Sequence, residues 1–162
     1  NLQTGGLSIA LIAGFAKAVE LAFTDFDANV AHLRELSDYL LQELRKKIQF
    51  IELNGAPGEG RAPHNVNISI DYIEGEAITM MLDMHGITVA TGSACASQGL
   101  KANYVLMAIG KNHVQSHGSM KFTLSRYTTK EQLDYTVDTL AKITEELRSR
   151  SPLYSALKNQ EK

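Results

Sequence analysis

The sequence predicts an α+β fold: a small antiparallel or mixed sheet of about three or four strands packed against helices, with a long helix ahead of it. Three observations carry this. Apolar residues recur at helical spacing in two long stretches near the start of the chain and one near its end. Short runs with strand character, "FIEL", "NVNISI", "ITVA" and "MKFTLS", are split by a helical segment and a loop rather than gathered in one block. Turn signals at Asn54-Gly55 and Gly86 punctuate them.

Leu7 to Phe23 carries apolar residues on nearly every side (Leu7, Ile9, Leu11, Ile12, Phe15, Val19, Leu21, Phe23), so it is expected as a helix buried on most sides, against a missing neighbour. Asp25 or Asp27 is expected to cap the next helix. There Val30, Leu33, Leu36, Leu40, Leu41, Leu44 and Ile48 form one stripe, with Arg34, Glu35, Asp38, Glu43 and Lys47 mostly opposite. The Lys46-Lys47 pair reads as a solvated helix end. "FIEL" runs into a turn at Asn54-Gly55, and "APGEGRAP" is a loop. "NVNISI" sets Val66, Ile68 and Ile70 against Asn65, Asn67 and Ser69, a half-buried strand. Glu74 to His85 is a helix with Ile78, Met81 and Leu82 inward, stopped by Gly86. "ITVA" and "MKFTLS" are strands. Thr128 or Thr129 opens a capping box, and an amphipathic helix then runs to Pro152.

With 162 residues, 44% of them hydrophobic and 21% charged, the chain can bury a core as one globular domain. A net charge of −2 and a pI near 6.2 give no electrostatic reason to expect nucleic acid or an anionic membrane surface as partner. No apolar run approaches the length of a spanning helix. One cysteine forms no internal disulfide, so a cytoplasmic protein is expected. The chain starts with "NLQTGG", without Met or a basic leader, and is expected to begin in mid-protein as one domain of something larger.

Four features bear on chemistry. Cys95 sits in "ITVATGSACASQGLKANYVLMAIG" between small residues. A lone cysteine is ordinarily a small buried hydrophobe. Here Gly92, Ser93, Ala94, Ala96, Ser97 and Gly99 offer nothing bulky to bury it, so an exposed nucleophilic thiol is an equal reading. Arg126 closes "MKFTLSR" and is expected off the face of Phe122 and Leu124; it is either a surface charge or a fork for a carboxylate or phosphate. His113 and His117 have helical metal-ligand spacing, but the segment is short and no second cysteine or acidic ligand is near, so no metal is expected. His32, His64 and His85 stand singly. No glycine-rich phosphate loop is present.

Together these segments resemble the NifS/IscS-type cysteine desulfurases, class-V enzymes of PLP (pyridoxal 5′-phosphate) fold type I. The marks are "NVNIS", "EGE" at Glu74–Glu76, "GSACAS" at Gly92–Ser97, "YVLMAIG" at Tyr104–Gly110, "HGS" at His117–Ser119, "SRYTT" at Ser125–Thr129 and "SPLY" at Ser151–Tyr154, in family order across almost the whole chain. The resemblance implies that residues 25–162 are the small C-terminal domain, with the cysteine loop at about 91–103, and that residues 1–24 are the helix linking it to a large PLP domain. It implies that the Cys95 thiolate takes the sulfur of L-cysteine as a persulfide, leaving alanine, on a loop long enough to deliver that sulfur outside. It implies that Arg126 binds the substrate α-carboxylate. The full-length protein would be a homodimer supplying an Fe–S scaffold or another sulfur acceptor.

Two departures qualify this. The family's PLP lysine lies in a Ser-x-His-Lys segment, and no His-Lys pair occurs here. This chain alone is therefore expected to be inactive, with PLP held mainly by the large domain. Gly6 stands where the family has a phosphate-binding threonine, and Gln3 where it has an arginine. Alternatives are an altered paralogue, a module docking a sulfur acceptor, or a selenocysteine or cystine lyase on the same fold.

Overall fold

The computed structural model describes residues 5–92 and 102–160. Helix α1 (Ile9–Thr24) leads into α2 (Phe26–Lys47), then β1 (Ile51–Leu53), β2 (Asn65–Ile70), α3 (Gly75–Asp83), α4 (Tyr104–Ala108), α5 (His113–His117), β3 (Ser119–Thr123), α6 (Lys130–Ser149) and α7 (Pro152–Gln160). The sheet is antiparallel throughout, in the order β1-β2-β3. "ITVA" forms no strand: only Ala90 pairs, as an isolated bridge to Lys121, while Ile87 and Val89 pack against the core.

Register follows from the alternation. Ile68 opposes Leu53 and Met120, and Val66 opposes Phe122, so one face of the sheet is apolar. The stripe of α2 (Leu36, Leu40, Leu44, Ile48) and that of α6 (Leu133, Val137, Leu140, Ile143) bury against it, with Ile78 and Leu82 of α3. At roughly 1.5–3 kcal/mol per fully buried side chain, this layer dominates the stability. The other face is partly covered by α5, which explains why Ser69 is buried. Its Oγ donates to Gln115 O at 2.8 Å and is bonded to Asn54, whose Nδ2 also donates to Asn67 Oδ1 at 2.7 Å.

Local signals did their work unevenly. Thr129 and Gln132 form the expected capping box of α6. Asp25 occupies the N-cap position of α2 but makes no side-chain cap bond. Gly86 ends the α3 segment at φ +73°. "APGEGRAP" contains one short 3₁₀ turn, Gly58–Gly60. Lys46 and Lys47 are exposed as expected, and pair with Glu43 and Asp138.

The first helix forms as expected, and its expected burial is not supplied by the described part of this chain. None of its side chains is buried: Ile9 is 78% exposed, Leu11 75% and Phe15 73%. No described residue covers it. Among the described residues no helix is long and apolar enough to cross a membrane.

Along the seam of α2 and α6, Tyr39 Oη donates to Asp134 Oδ1 at 2.5 Å. That bond first, then desolvation and the carboxylate's charge, push the phenol from 10.0 up to about 12. A raised pKa means that its stabilisation is complete below pH 10.0 and is lost as pH rises through about 12. In an alkaline absorbance titration Tyr39→Phe should lack a phenolate component near 12. If the component lost titrates near 10.0, the bond does not hold in solution.

Candidate functional site

The site is built around two glycines at one end of the sheet. Ile70, closing β2, donates its N–H to Gly118 O at 2.9 Å. A Cβ on Gly118 would lie 2.4 Å from Ile70 O, far inside contact distance. Gly75, the buried first residue of α3, is held as closely: its Cβ would lie 2.7 Å from Thr91 Oγ1 and 2.8 Å from the carbonyls of both His117 and Ser119. Only a residue without a side chain lets α3, the 117–119 crossing and Thr91 meet at this point.

Thr91 begins the segment that carries Cys95. The residue before it, Ala90, exchanges backbone bonds with Lys121 of β3, at 3.2 and 2.7 Å. The returning side is fixed separately. Asn103 donates its N–H to the buried Ser116 Oγ at 2.9 Å, and its Oδ1 caps α4 through Val105 N. Helix α5 is closed by a capping box between Asn112 and Gln115. Lys111, between α4 and α5, is buried and pairs with Glu52 of β1 at 2.5 Å. A buried ammonium is tolerable only when paired in this way. Cys95 itself lies outside the described residues, as do Gln3 and the rest of "SACASQGLK".

Arg126 is placed by a turn. Thr128 N donates to Ser125 O at 3.0 Å, Ser125 N to Thr128 Oγ1 at 3.0 Å, and Tyr127 N to Ser125 Oγ at 3.2 Å. The arginine does lie off the face of the buried Phe122 and Leu124, but alternation is not the cause, because positions 122, 124 and 126 share parity. Strand β3 ends at Thr123, and the turn swings Arg126 outward. Its guanidinium lies 4.8 Å from the centre of the Tyr127 ring, and Nη2 donates to Tyr127 Oη at 2.7 Å. It is thus an exposed fork, oriented by a ring and without an ion pair among the described residues, suited to a carboxylate or a phosphate.

The remaining candidates separate from this arrangement. Gly6 is exposed with no atom within 4 Å of a built Cβ. His113 is exposed and His117 half-buried on the one-turn α5, and among the described residues no three metal-ligating side chains cluster. The described residues do not form a PLP site. Gly6 offers no hydroxyl and no described atom near a built Cβ, and among the described residues the one buried lysine, Lys111, is committed to Glu52. Asn103 and the Asn112–Gln115 box escaped the sequence reading, although an asparagine ahead of an apolar run and an N-x-x-Q spacing both signal helix starts.

Strand β3 thus relates two stretches of chain: the one that leaves Ala90 toward Cys95, and the turn that carries Arg126. The chain belongs to the aminotransferase class-V family, whose model matches residues 1–136. Within that family it is similar to cysteine desulfurases. It is 46% identical over 152 residues to the cysteine desulfurase IscS of Dictyoglomus turgidum, covering 94% of this chain and 38% of that protein. It is 43% identical to the cysteine desulfurase IscS 1 of Archaeoglobus fulgidus, over 95% of this chain and 40% of that one. The mitochondrial cysteine desulfurase of Saccharomyces cerevisiae is 39% identical, with 95% and 30% covered. A solved NifS-like protein superposes with a TM-score of 0.77 at 25% identity, over 90% of this chain and 36% of its own. The chain thus spans well under half the length of these relatives.

The glycine junction generates a stability test. Gly118→Ala should cost about 3 kcal/mol and Gly75→Ala nearly as much, because backbone carbonyls stand in the way at both, joined at Gly75 by the Thr91 hydroxyl. Gly86→Ala, strained in φ but with open space around it, should cost only about 1 kcal/mol. Urea melts showing the three equal would remove the steric account.

Proposed function

We propose that this chain carries the sulfur-accepting and substrate-gripping half of a PLP-dependent cysteine desulfurase. Residues 25–162 are its C-terminal small domain, and residues 1–24 are the helix joining it to a large domain that holds PLP. Cys95 is the nucleophile. Its thiolate attacks Sγ of L-cysteine; an S–S bond forms, the substrate Cβ–Sγ bond breaks with its electron pair left on carbon, and protonation there gives alanine. Arg126 grips the substrate α-carboxylate. The Cys95 persulfide then passes its outer sulfur to an acceptor such as an Fe–S scaffold protein.

The observation that carries this reading is the shared strand. Cys95 is five residues beyond Ala90, and Arg126 five residues beyond its bridge partner Lys121. Each Cα is therefore tethered within about 18 Å of that bridge. A common anchor at Lys121 bounds the separation of the two groups through chain length alone, without fixing the thiol. The family match and the three cysteine desulfurase relatives support the reaction class. The exposed apolar surface of α1 supports a large-domain or homodimer neighbour, since contiguous exposed apolar surface marks an interaction face. The single cysteine suits a reducing compartment, and we carry forward a cytoplasmic location, with the yeast relative mitochondrial by name.

Gly6 favours one other reading, an altered paralogue with weakened phosphate contacts. PLP retention on dialysis of the full-length protein separates the two.

The fork predicts its own test. In the full-length protein, Arg126→Lys should raise KM for L-cysteine by about tenfold or more with kcat less affected, since a point charge replaces a two-pronged donor. An unchanged KM with normal alanine release would take the carboxylate away from Arg126.

A further inference from the structure

A cleft of about 670 Å³ lies between the C-terminal end of α2, the second half of α6 and the start of α7. The proposed reaction does not use it. Lys46, Lys47, Lys142 and Arg148 line it, with Glu145 as the one carboxylate on its lining. Lys46 and Lys47 are paired with Glu43 and Asp138. Lys142 and Arg148 have no ion-pair partner among the described residues.

Arg148 is the unusual member. It is 5% exposed, and burying an unpaired cation is costly unless its donors are satisfied. Nε bonds to Asp71 O at 3.2 Å, and Nη2 to Gln49 O at 2.9 Å and Asp71 O at 3.1 Å. Phe50 and Tyr154 each place a ring centre 5.5 Å from its Cζ. Nη1 takes no acceptor among the described residues. One turn earlier on α6, Thr144 is 3% exposed and its Oγ1 has no hydrogen-bond partner. A buried hydroxyl without a partner is an exception in folded proteins and points to a missing ligand or water.

Burial thus leaves one hydroxyl unmatched on this side of α6, beside an arginine whose Nη1 has no acceptor among the described residues and with the exposed Lys142 ammonium at the rim. The carbonyl end of α2 opposes an anion, but only with about half a unit of charge, and Arg148 already occupies the carbonyls of Gln49 and Phe50 beyond it. Asp71 acts on Arg148 and Asp138 on Lys142, so it is the convergence of donors, not an excess of positive charge, that favours an oxyanion here. We propose that this cleft binds a small phosphate-bearing molecule, with Thr144, Arg148 and Lys142 as donors to its oxygens. Phosphate fits the donor set because Arg and Lys both serve it and a threonine hydroxyl completes the cradle. The cleft volume leaves room for an organic group beyond the phosphate.

The test is an NMR titration of the full chain with inorganic phosphate and, separately, with adenosine monophosphate, at fixed ionic strength to remove general screening. We expect saturable shifts confined to residues 46–49 and 141–149, with a Kd on the order of 1 mM or tighter. Saturation by both probes assigns the site to the oxyanion itself; saturation by the ester alone adds a contribution from the organic part. Lys142→Glu should weaken binding by about tenfold, Thr144→Val by about threefold, and Glu145→Gln should tighten it. Lys142 and Glu145 are surface positions, so those variants stay folded whatever Thr144→Val does. Shifts that fail to saturate with either probe, or that are the same in Lys142→Glu and Glu145→Gln, would overturn the site.

Discussion

The contact on which the rest of this structure turns is backbone against backbone at Gly118 and Gly75. Ile70 O, His117 O and Ser119 O occupy the volume where side chains would otherwise project. Because nothing intervenes, the end of β2, the start of β3, the start of α3 and Thr91 share one small region. Any side chain there would lever α3 away from β3 and move the root of the cysteine segment with it. The apolar layer of α2, α3 and α6 supplies most of the stability, but it is tolerant of small shifts in a way that this junction is not. Specificity of position and magnitude of stability therefore come from different parts of the molecule.

Strand β3 converts that junction into a functional layout. At one end it is anchored beside the two glycines; at its middle Lys121 takes the Ala90 bridge; past its other end a turn with three hydrogen bonds presents Arg126. The returning side of the cysteine segment is tied to the same sheet through Asn103, Ser116 and the Ser69–Gln115 bond. The proposed reaction, which would hold a substrate in one place and deliver sulfur in another, calls for fixed roots on either side of the cysteine segment. The described residues supply the roots.

Much of this was legible in the sequence, and the failures have identifiable causes. Long periodic segments gave α2, α3 and α6, and the N-x-N-x-S alternation gave β2, because their patterns reflect burial on one face. "ITVA" carries the same kind of pattern but has only β3 to pair with, and only Ala90 reaches it. The first helix was legible as a helix, and its apolar surface as one that nothing described in this chain covers. Helices α4 and α5, five residues each, exist through their caps and their seat on the sheet, and neither leaves a periodic trace. Gly75 and Gly118 were visible as family marks, while the carbonyls that require them come from distant parts of the chain. The Arg148 contacts with Gln49, Phe50 and Asp71 were invisible for the same reason. They lie where two large residues, Phe50 at φ +54° and Tyr72 at φ +70°, take a left-handed backbone that their side chains disfavour.

The central claim is that the thiol rooted beside β3 is the one that receives sulfur. The direct measurement is the mass of the Cys95 peptide from the full-length, PLP-loaded protein after brief exposure to L-cysteine, quenched with a thiol-alkylating reagent. The account predicts a fraction carrying one extra sulfur, removed by reductant and absent from Cys95→Ser, which should also release no alanine beyond the background of the unreacted protein. Alanine formation at the wild-type rate with no added sulfur on Cys95, or undiminished in Cys95→Ser, would contradict it.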